Sequence, residues 1–240
     1  MAQVINTNVA SLFGGAALNK SNVALQTAMQ RLSSGVRINS AKDDATGMVT
    51  ASGYESTMRG ANVAVRNAND GISEAQINDG YHAQVYENLQ RLREIAVQLG
   101  GTASGSEATA LYAENTRLLG LATNSTAKVI GADGSTASVV GTKATGLTAS
   151  AATVANIDAD ITKVTTARAS YGADMATYQS AVNNLQTLSV NTAAAYSRVM
   201  DTDYAAETTA MTRNMILQQA GSAMLAQANQ LPNNVLSLLR

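Results

Sequence analysis

Apolar residues recur at alternating three- and four-residue intervals along most of the chain, the spacing that places them on one face of a helix. The rows are Met58, Ala61, Val65, Ala68, Ile72 and Ala75; Val85, Leu89, Leu92, Ala96 and Leu99; and Ile157, Ile161, Val164, Arg168, Tyr171, Met175, Tyr178, Val182 and Leu185. Because the spacing holds for many turns, and Pro232 is the only proline, the pattern predicts long helices packed as coiled coils. A helix from Ser40 to Leu99 would be about 90 Å long.

Start and stop signals agree with these rows. Ser40 and Asp43 have the spacing of a capping box and predict a helix start. Gly100–Gly101 predict the end of the same helix, and Asp201 and Asp203 predict a later start. The same reasoning interprets the acidic pairs in the chain as helix caps and not as metal ligands or catalytic acids. These pairs are Asp43 with Asp44, Asp158 with Asp160, and Asp201 with Asp203.

The middle of the chain differs in composition from both halves. Residues from about 100 to 155 are rich in Gly, Ala, Ser and Thr, with a short helix predicted around Leu111 to Leu121. Asp133–Gly134 lies between short β-prone runs and predicts a hairpin. We therefore expect a mainly α fold, in which long antiparallel helical hairpins or coiled-coil rods carry a small β-hairpin tip. The expected domains are an inner one of residues 1–39 and 201–240 and a rod of residues 40–200, with the variable tip at about 100–156.

Both ends of the chain lack charge. No charged side chain precedes Lys20, and none occurs from Ile216 through Leu239. Apolar residues in both segments keep coiled-coil spacing, so the two terminal helices should pair. Their outward faces carry Gln, Asn, Ser, Thr and Ala where a water-facing surface normally carries charge. We therefore expect other copies of the chain to cover them in a helical polymer. The predicted self-assembly residues are Val9, Leu12, Leu18, Leu25, Leu32, Leu217, Met224, Leu225, Leu231, Val235, Leu236 and Leu238.

Composition narrows the function classes. Charged residues are 14% of the chain and aromatic residues 4%, where roughly 25% charged is typical. The net charge of −1 gives no basic surface for nucleic acid. Seven Gln and Asn residues interrupt the uncharged tail and argue against membrane insertion. No cleavable secretory signal is expected at the amino end.

Residues for enzyme chemistry are scarce. The chain has no Cys and one histidine, His82, which excludes a multi-histidine or cysteine–histidine metal site. His82 is interpreted as a satisfied surface or interface histidine. No nucleophile elbow and no phosphate-binding glycine motif is present. The sequence therefore predicts no cofactor, no metal and no enzymatic activity.

Several long motifs at both ends resemble the bacterial flagellin family. They are MAQVINTN, RLSSGVRINSAKDDATGM, RNANDGISEAQ and LQRLREIAVQ in the first half, and DTDYAAE, ILQQAGSAMLAQANQ and NNVLSLLR at the carboxyl end. The resemblance covers roughly residues 1–99 and 157–240. It implies a secreted, extracellular structural subunit of the flagellum, whose paired terminal helices line a tubular filament used for swimming motility. The short middle implies that large outer domains are absent.

The resemblance also implies partners. A flagellar export chaperone would hold about residues 205–240 before type III export, and hook-associated and cap proteins would contact the polymer. Arg91, Ile95 and Glu114 match positions that contact an innate-immune Toll-like receptor in receptor-activating members. A hook-associated junction protein or a flagellin-like surface adhesin is the alternative, and either would usually carry a larger middle. An enzyme or a membrane-active helical protein would be the alternative from another class.

Overall fold

The computed structural model describes residues 7–237, with side chains described as far as residue 230. Five helices follow in chain order: α1 (Val9–Ser34), α2 (Ala45–Gln98), α3 (Ser106–Leu121), α4 (Val154–Met200) and α5 (Tyr204–Ser237). Within the described residues, β structure is limited to isolated antiparallel bridges. The prediction of a mainly α fold built on long helices is confirmed.

Contacts divide the chain into two compact units. Unit 1 contains the chain up to Gly53 and from Ala194 onwards, and unit 2 is Tyr54–Ala193. Both divisions fall inside helices, the first in α2 and the second in α4. Unit 1 is therefore built from an amino-terminal and a carboxyl-terminal part of the chain, whereas unit 2 is the continuous segment that lies between those parts in the sequence.

In unit 2, α2 and α4 pack antiparallel along the predicted apolar rows. Two ion pairs fix the register: Arg93 Nε lies 2.7 Å from Asp158 Oδ1, and Arg168 Nε lies 2.8 Å from Asp79 Oδ1. The predicted row residues are buried or half-buried, except Leu99, which is 55% exposed. The buried members are Ala61, Ala68, Ala75, Val85, Leu89, Leu92, Ala96, Ile157, Val164, Tyr171, Tyr178, Val182 and Leu185.

Helix α3 confirms the short helix predicted around Leu111 to Leu121. It packs back along α2. Asn88 Nδ2 donates to Asn115 Oδ1 at 2.8 Å in the interior, and Arg91 pairs with Glu107 at the surface. The Tyr112 hydroxyl accepts a hydrogen bond from the Ala152 backbone nitrogen. This contact ties α3 to the segment that leads into α4.

The non-helical segment of residues 122–153, here called the strap, is an irregular hairpin lying on α2 and α4. Its two arms are joined by the antiparallel bridge between Val129 and Thr136 and by the hydrogen bond from Ala137 N to Lys128 O. The reversal therefore occurs at the predicted Asp133–Gly134. The sequence predicted that this turn forms a tip on the long helices. In the structure, Ala132 lies against Gly60, so the turn lies beside the first part of α2.

The helix ends show which start and stop signals were correct. Gly100 and Gly101 have φ of 78° and 118°, and Gly101 N donates to Ala96 O, which confirms the predicted end of α2. Asp203 Oδ1 accepts from Ala205 N and caps α5 as predicted. The predicted start at Ser40 is wrong, since α2 begins at Ala45.

The residues before α2 show why the predicted start is early. Asp43 Oδ2 accepts from the backbone nitrogens of Asn39 and Ser40, so these residues form a separate turn. These hydrogen bonds, led by the one from Ser40, lower the pKa of Asp43. Asp44 Oδ1 accepts from Gly47 N and caps the helix itself.

Two further sequence interpretations are corrected in unit 2. Asp158 and Asp160 do not cap α4: Asp158 pairs with Arg93, and the buried Asp160 accepts a hydrogen bond from Thr148 N at 2.7 Å. His82 is satisfied, as expected, but it is fully buried and does not lie at the surface.

Candidate assembly surface

Helices α1 and α5 of unit 1 lie side by side and antiparallel, as the sequence predicted. Asn8 Nδ2 donates to the carbonyl oxygen of Ala228 at 2.8 Å, and Arg31 pairs with Glu207 at 3.7 Å near the other end of α1. Between these contacts, small residues let the backbones approach. The Leu225 side chain lies over Gly14, and Leu18 lies over Gly221.

A short backbone junction holds the two loops of unit 1 together. Val36 and Asp201 form an antiparallel bridge, Arg37 N donates to Met200 O at 2.6 Å, and Thr202 N donates to Gly35 O at 3.0 Å. Gly35 ends α1 with φ of 73°, a left-handed conformation that glycine adopts without strain. The junction fixes where α1 and α5 begin to pair.

The paired helices bury almost nothing completely. In the described side chains of α1 and α5, Ala28 is the one buried residue. Large apolar side chains instead lie exposed along both helices. They are Val9, Leu12, Phe13, Val23 and Met29 in α1, and Tyr204, Met215, Ile216, Leu217 and Met224 in α5. So much exposed apolar surface on one helix pair marks an interaction surface.

The predicted self-assembly residues fall into two groups. Half-buried residues occupy the seam between the helices: Leu18, Leu25, Leu32 and Leu225. Exposed residues face outward: Val9, Leu12, Leu217 and Met224. Leu231, Val235 and Leu236 belong to α5, but their side chains lie outside the described part, and Leu238 lies outside the described residues altogether.

Six exposed apolar residues of the described helix pair were not among the predicted ones: Phe13, Val23, Met29, Tyr204, Met215 and Ile216. Phe13 is 78% exposed, and Ile216 is 60% exposed. Neither falls on the coiled-coil rows from which most of the predicted residues were taken. Their position inside the two charge-free segments was the signal that could have found them.

An apolar groove runs between the two helices. It has a volume of about 540 Å³, and its lining includes Phe13, Leu18, Leu217 and Met224. No Lys, Arg, Asp or Glu lines it. A partner could therefore bury this groove without removing a charge from water, the step that makes burial of ionic surface costly. Its chemistry is binding, and it holds no group suited to catalysis.

The three positions matched to receptor contacts lie in unit 2 and differ in exposure. Arg91 is exposed and bonded to Glu107 and Glu94; these hydrogen bonds, that to Glu107 first, raise its pKa. Glu114 pairs with Arg117, which lowers the pKa of Glu114. Ile95 is only 7% exposed and packs in the core.

Among the described residues, no group of three or more His, Cys, Asp or Glu side chains is arranged to hold a metal ion. The described helices also include none with the length and hydropathy needed to cross a lipid bilayer.

Comparison with known proteins matches both halves of the chain. A family model described as the bacterial flagellin N-terminal helical region matches residues 5–129, and one described as the bacterial flagellin C-terminal helical region matches residues 154–239. The flagellin of Bacillus subtilis (strain 168) is 33% identical over 302 residues, covering 98% of this chain and 99% of that protein. The flagellar filament 31.3 kDa core protein of Treponema maltophilum is 33% identical over 285 residues, covering 99% of this chain and 100% of that protein.

Other relatives match a shorter part of the chain with a higher sequence identity. The flagellin of Salmonella muenchen is 53% identical over 120 residues, which are 50% of this chain and 24% of that protein. The match therefore spans about a quarter of the length of the Salmonella relatives.

Proposed function

Because the chain belongs to the bacterial flagellin family, a family of structural proteins and not of enzymes, we propose that it is a structural subunit of the bacterial flagellar filament. In this proposal, copies of the chain assemble through their paired terminal helices into an extracellular tubular propeller for swimming. The observation that carries the proposal is the exposed apolar surface of α1 and α5, with a groove whose lining carries no charged side chain.

The energetics of that surface favour association. Burying one large apolar side chain contributes about 1.5–3 kcal/mol, and the described side chains of α1 and α5 include ten large apolar ones that are exposed. The polar groups among them are mainly amides and hydroxyls, which can hydrogen-bond across a contact at a lower desolvation cost than a charge. A second copy of the same surface supplies both the apolar area and the amide partners.

The domain arrangement of the filament is part of the proposal. We place residues 1–39 and 201–240 in an inner layer and residues 40–200 in the layer around it. The difference between α1–α5 and unit 2 supports this arrangement. Unit 2 has a core of its own, whereas the described side chains of α1 and α5 bury only Ala28, so the pair is the part that needs neighbours for burial.

Before assembly, the same surface would need protection from premature association. An export chaperone covering about residues 205–240 fits this requirement, since α5 exposes Ile216, Leu217 and Met224. Passage through the flagellar export apparatus and contacts with hook-associated and cap proteins are further parts of the proposal. They rest on the family resemblance.

Receptor recognition is a separate prediction from the resemblance. The exposure of Arg91 supports a Toll-like receptor contact through Arg91, Ile95 and Glu114. Ile95 is buried in the core of unit 2, so a contact there would require that core to open locally.

The assembly proposal is best tested at Met224, which is 68% exposed and lines the groove. Met224→Asp should leave the monomer's far-ultraviolet circular dichroism unchanged and abolish seeded filaments in negative-stain electron microscopy, because assembly would bury an unpaired charge. Met224→Leu, which keeps the site apolar, should polymerise. Leu225→Asp should also block assembly, but it is less specific because Leu225 contacts Gly14 within the chain.

Two results would contradict the proposal. Filaments of Met224→Asp at the wild-type yield would mean that this face is not buried between copies. A wild-type chain that stays monomeric after seeding would favour the junction-protein or adhesin alternative.

A further inference from the structure

His82 is fully buried in unit 2 and joins α2 to the strap. Its Nδ1 lies 2.7 Å from the carbonyl oxygen of Asn78, and its Nε2 lies 3.0 Å from the backbone nitrogen of Ala144. A carbonyl can only accept a hydrogen bond, and a backbone N–H can only donate one. The imidazole must therefore be neutral, with its proton on Nδ1 and a lone pair on Nε2.

Side chains hold the second arm of the strap, residues 137–148, more than backbone pairing does. Val140 N and Gly141 N donate to the buried Asp174 carboxylate, and Thr148 N donates to Asp160. Ala144 N, between these points, donates to His82. Lys143 N donates to the Asn124 side-chain oxygen, an acceptor that does not titrate. Among the titratable acceptors on the arm, the imidazole ordinarily titrates closer to neutral pH than the carboxylates.

The groups around His82 come from each element packed on it. Asp79 on α2 stabilises the protonated form of the His82 ring, and Arg168 on α4 destabilises it. These two side chains form an ion pair with each other. The Tyr171 ring of α4 lies 5.3 Å away, and burial raises the pKa of its hydroxyl to about 12, so it stays neutral. The neighbouring Lys143 of the strap directs its Nζ to the Leu119 carbonyl.

We propose that the His82–Ala144 hydrogen bond is an acid-released latch that holds the second arm of the strap on α2 and α4. When Nε2 takes up a proton from solvent, an N–H faces the Ala144 N–H, and the hydrogen bond is lost. The arm then loosens around Ala144, between its contacts with Asp174 and Asp160, while α2 and α4 stay paired through their apolar rows and the Arg93–Asp158 and Arg168–Asp79 ion pairs. The latch lies in unit 2 and does not depend on the proposed function.

The direction of the pH response follows from linkage. Burial, the largest influence, lowers the pKa of His82 below its ordinary value of 6.5. The open arm therefore binds a proton more readily than the closed arm. The latch is at full strength above about pH 6.5 and weakens as the pH falls through the closed-state pKa. One linked proton can reduce the closed population relative to the open one by at most about tenfold per pH unit.

The test uses the full-length, unseeded chain and nuclear magnetic resonance. Because His82 is the only histidine, its ring nitrogens report the tautomer and the protonation state without overlap. Amide exchange, corrected for the intrinsic pH dependence, reports the protection of Ala144. We expect the Nδ1–H tautomer at neutral pH. On acidification, Ala144 protection should begin to fall below about pH 6.5 and should level off once the imidazolium signal has replaced that of the neutral ring, while α2 and α4 amides of unit 2 stay protected.

Two variants separate the latch from general loosening. His82→Gln can offer an amide oxygen that does not titrate, so Ala144 protection should become independent of pH in this range. Asp174→Asn, the control, should weaken the arm at every pH and keep the histidine-linked response. An unchanged pH response in His82→Gln would overturn the proposal.

The wild-type chain also gives decisive outcomes if a variant fails to fold. A ring that becomes charged while Ala144 keeps its protection would overturn the latch. So would loss of α2 and α4 protection together with that of Ala144, because acid would then unfold the unit as a whole.

Discussion

Among the glycines of α2, two that look alike in the sequence have different surroundings. A Cβ added at Gly71 would lie 2.6 Å from the Tyr178 ring, whereas one added at Gly80 would meet no atom within 4 Å. The Tyr178 ring is not free to move away, since its hydroxyl donates to the Thr126 carbonyl in the strap. Gly71 is therefore needed for close packing of α2 on α4, and Gly80 is not.

We expect opposite effects from alanine at these two glycines. Gly71→Ala should destabilise unit 2 by about 1–3 kcal/mol through overpacking. Gly80→Ala should stabilise it by up to about 1 kcal/mol, because alanine is the better helix former. Urea unfolding of the monomer, followed by the signal of unit 2, measures both. Equal midpoints for the two variants would show that the Tyr178 ring can shift to make room.

Single polar residues were the hardest to predict. The sequence interpreted Asp158 and Asp160 as caps because they lie close to a helix start, and it interpreted His82 as a satisfied surface or interface histidine. In the structure, Asp160 and His82 accept hydrogen bonds from backbone nitrogens of the strap. Such a role depends on the path of a loop that is distant in the sequence. The spacing of the residues near Asp160 and His82 does not predict that path.

At the scale of elements, periodicity predicted the long helices and their buried faces well. The apolar rows of α2 and α4 predicted which faces of these helices contact each other, because an apolar stripe on a helix in water is buried against another element. The strap was predicted only at its turn. Its arms are held by side chains from other elements, so they carry neither a helical nor an alternating pattern.

Helix α1 contains a glycine that the pairing with α5 does not require. An added Cβ at Gly15 would meet no atom within 4 Å, whereas the adjacent Gly14 lies against Leu225. Gly15→Ala should therefore stabilise α1 by up to about 1 kcal/mol and raise the helix content of the monomer by circular dichroism. The neighbouring exposed Ala16 provides the reverse change: Ala16→Gly should lower the helix content. Identical spectra for the two variants would contradict the expectation.

At the scale of the molecule, the α1–α5 pair and unit 2 differ in how much they bury. Unit 2 has a continuous core that includes Leu89, Leu92, Ile157 and Tyr171, whereas the described residues of α1 and α5 bury only Ala28. Regions with few buried apolar contacts open most easily. The two regions should therefore lose structure separately.

Hydrogen exchange measured by mass spectrometry can test this difference in the unseeded monomer. Peptides from α1 and α5 should exchange at least about tenfold faster, relative to intrinsic rates, than peptides from the α4 part of unit 2. In polymer, the α1 and α5 peptides should become protected, since neighbours would cover them. Equal protection of both regions in the monomer would contradict the prediction, and the α4 peptides provide the internal reference.

The contact between Asn8 and Ala228 joins residues 220 positions apart. During synthesis, α1 emerges first and has no partner until α5 has been made, whereas most contacts of unit 2 can form earlier. A ribosome that stops before α5 therefore releases a chain whose α1 has nothing to pair with. A complete surface on α1 and α5 thus requires that translation has passed through α5, and a shorter fragment lacks one of the two helices that form that surface.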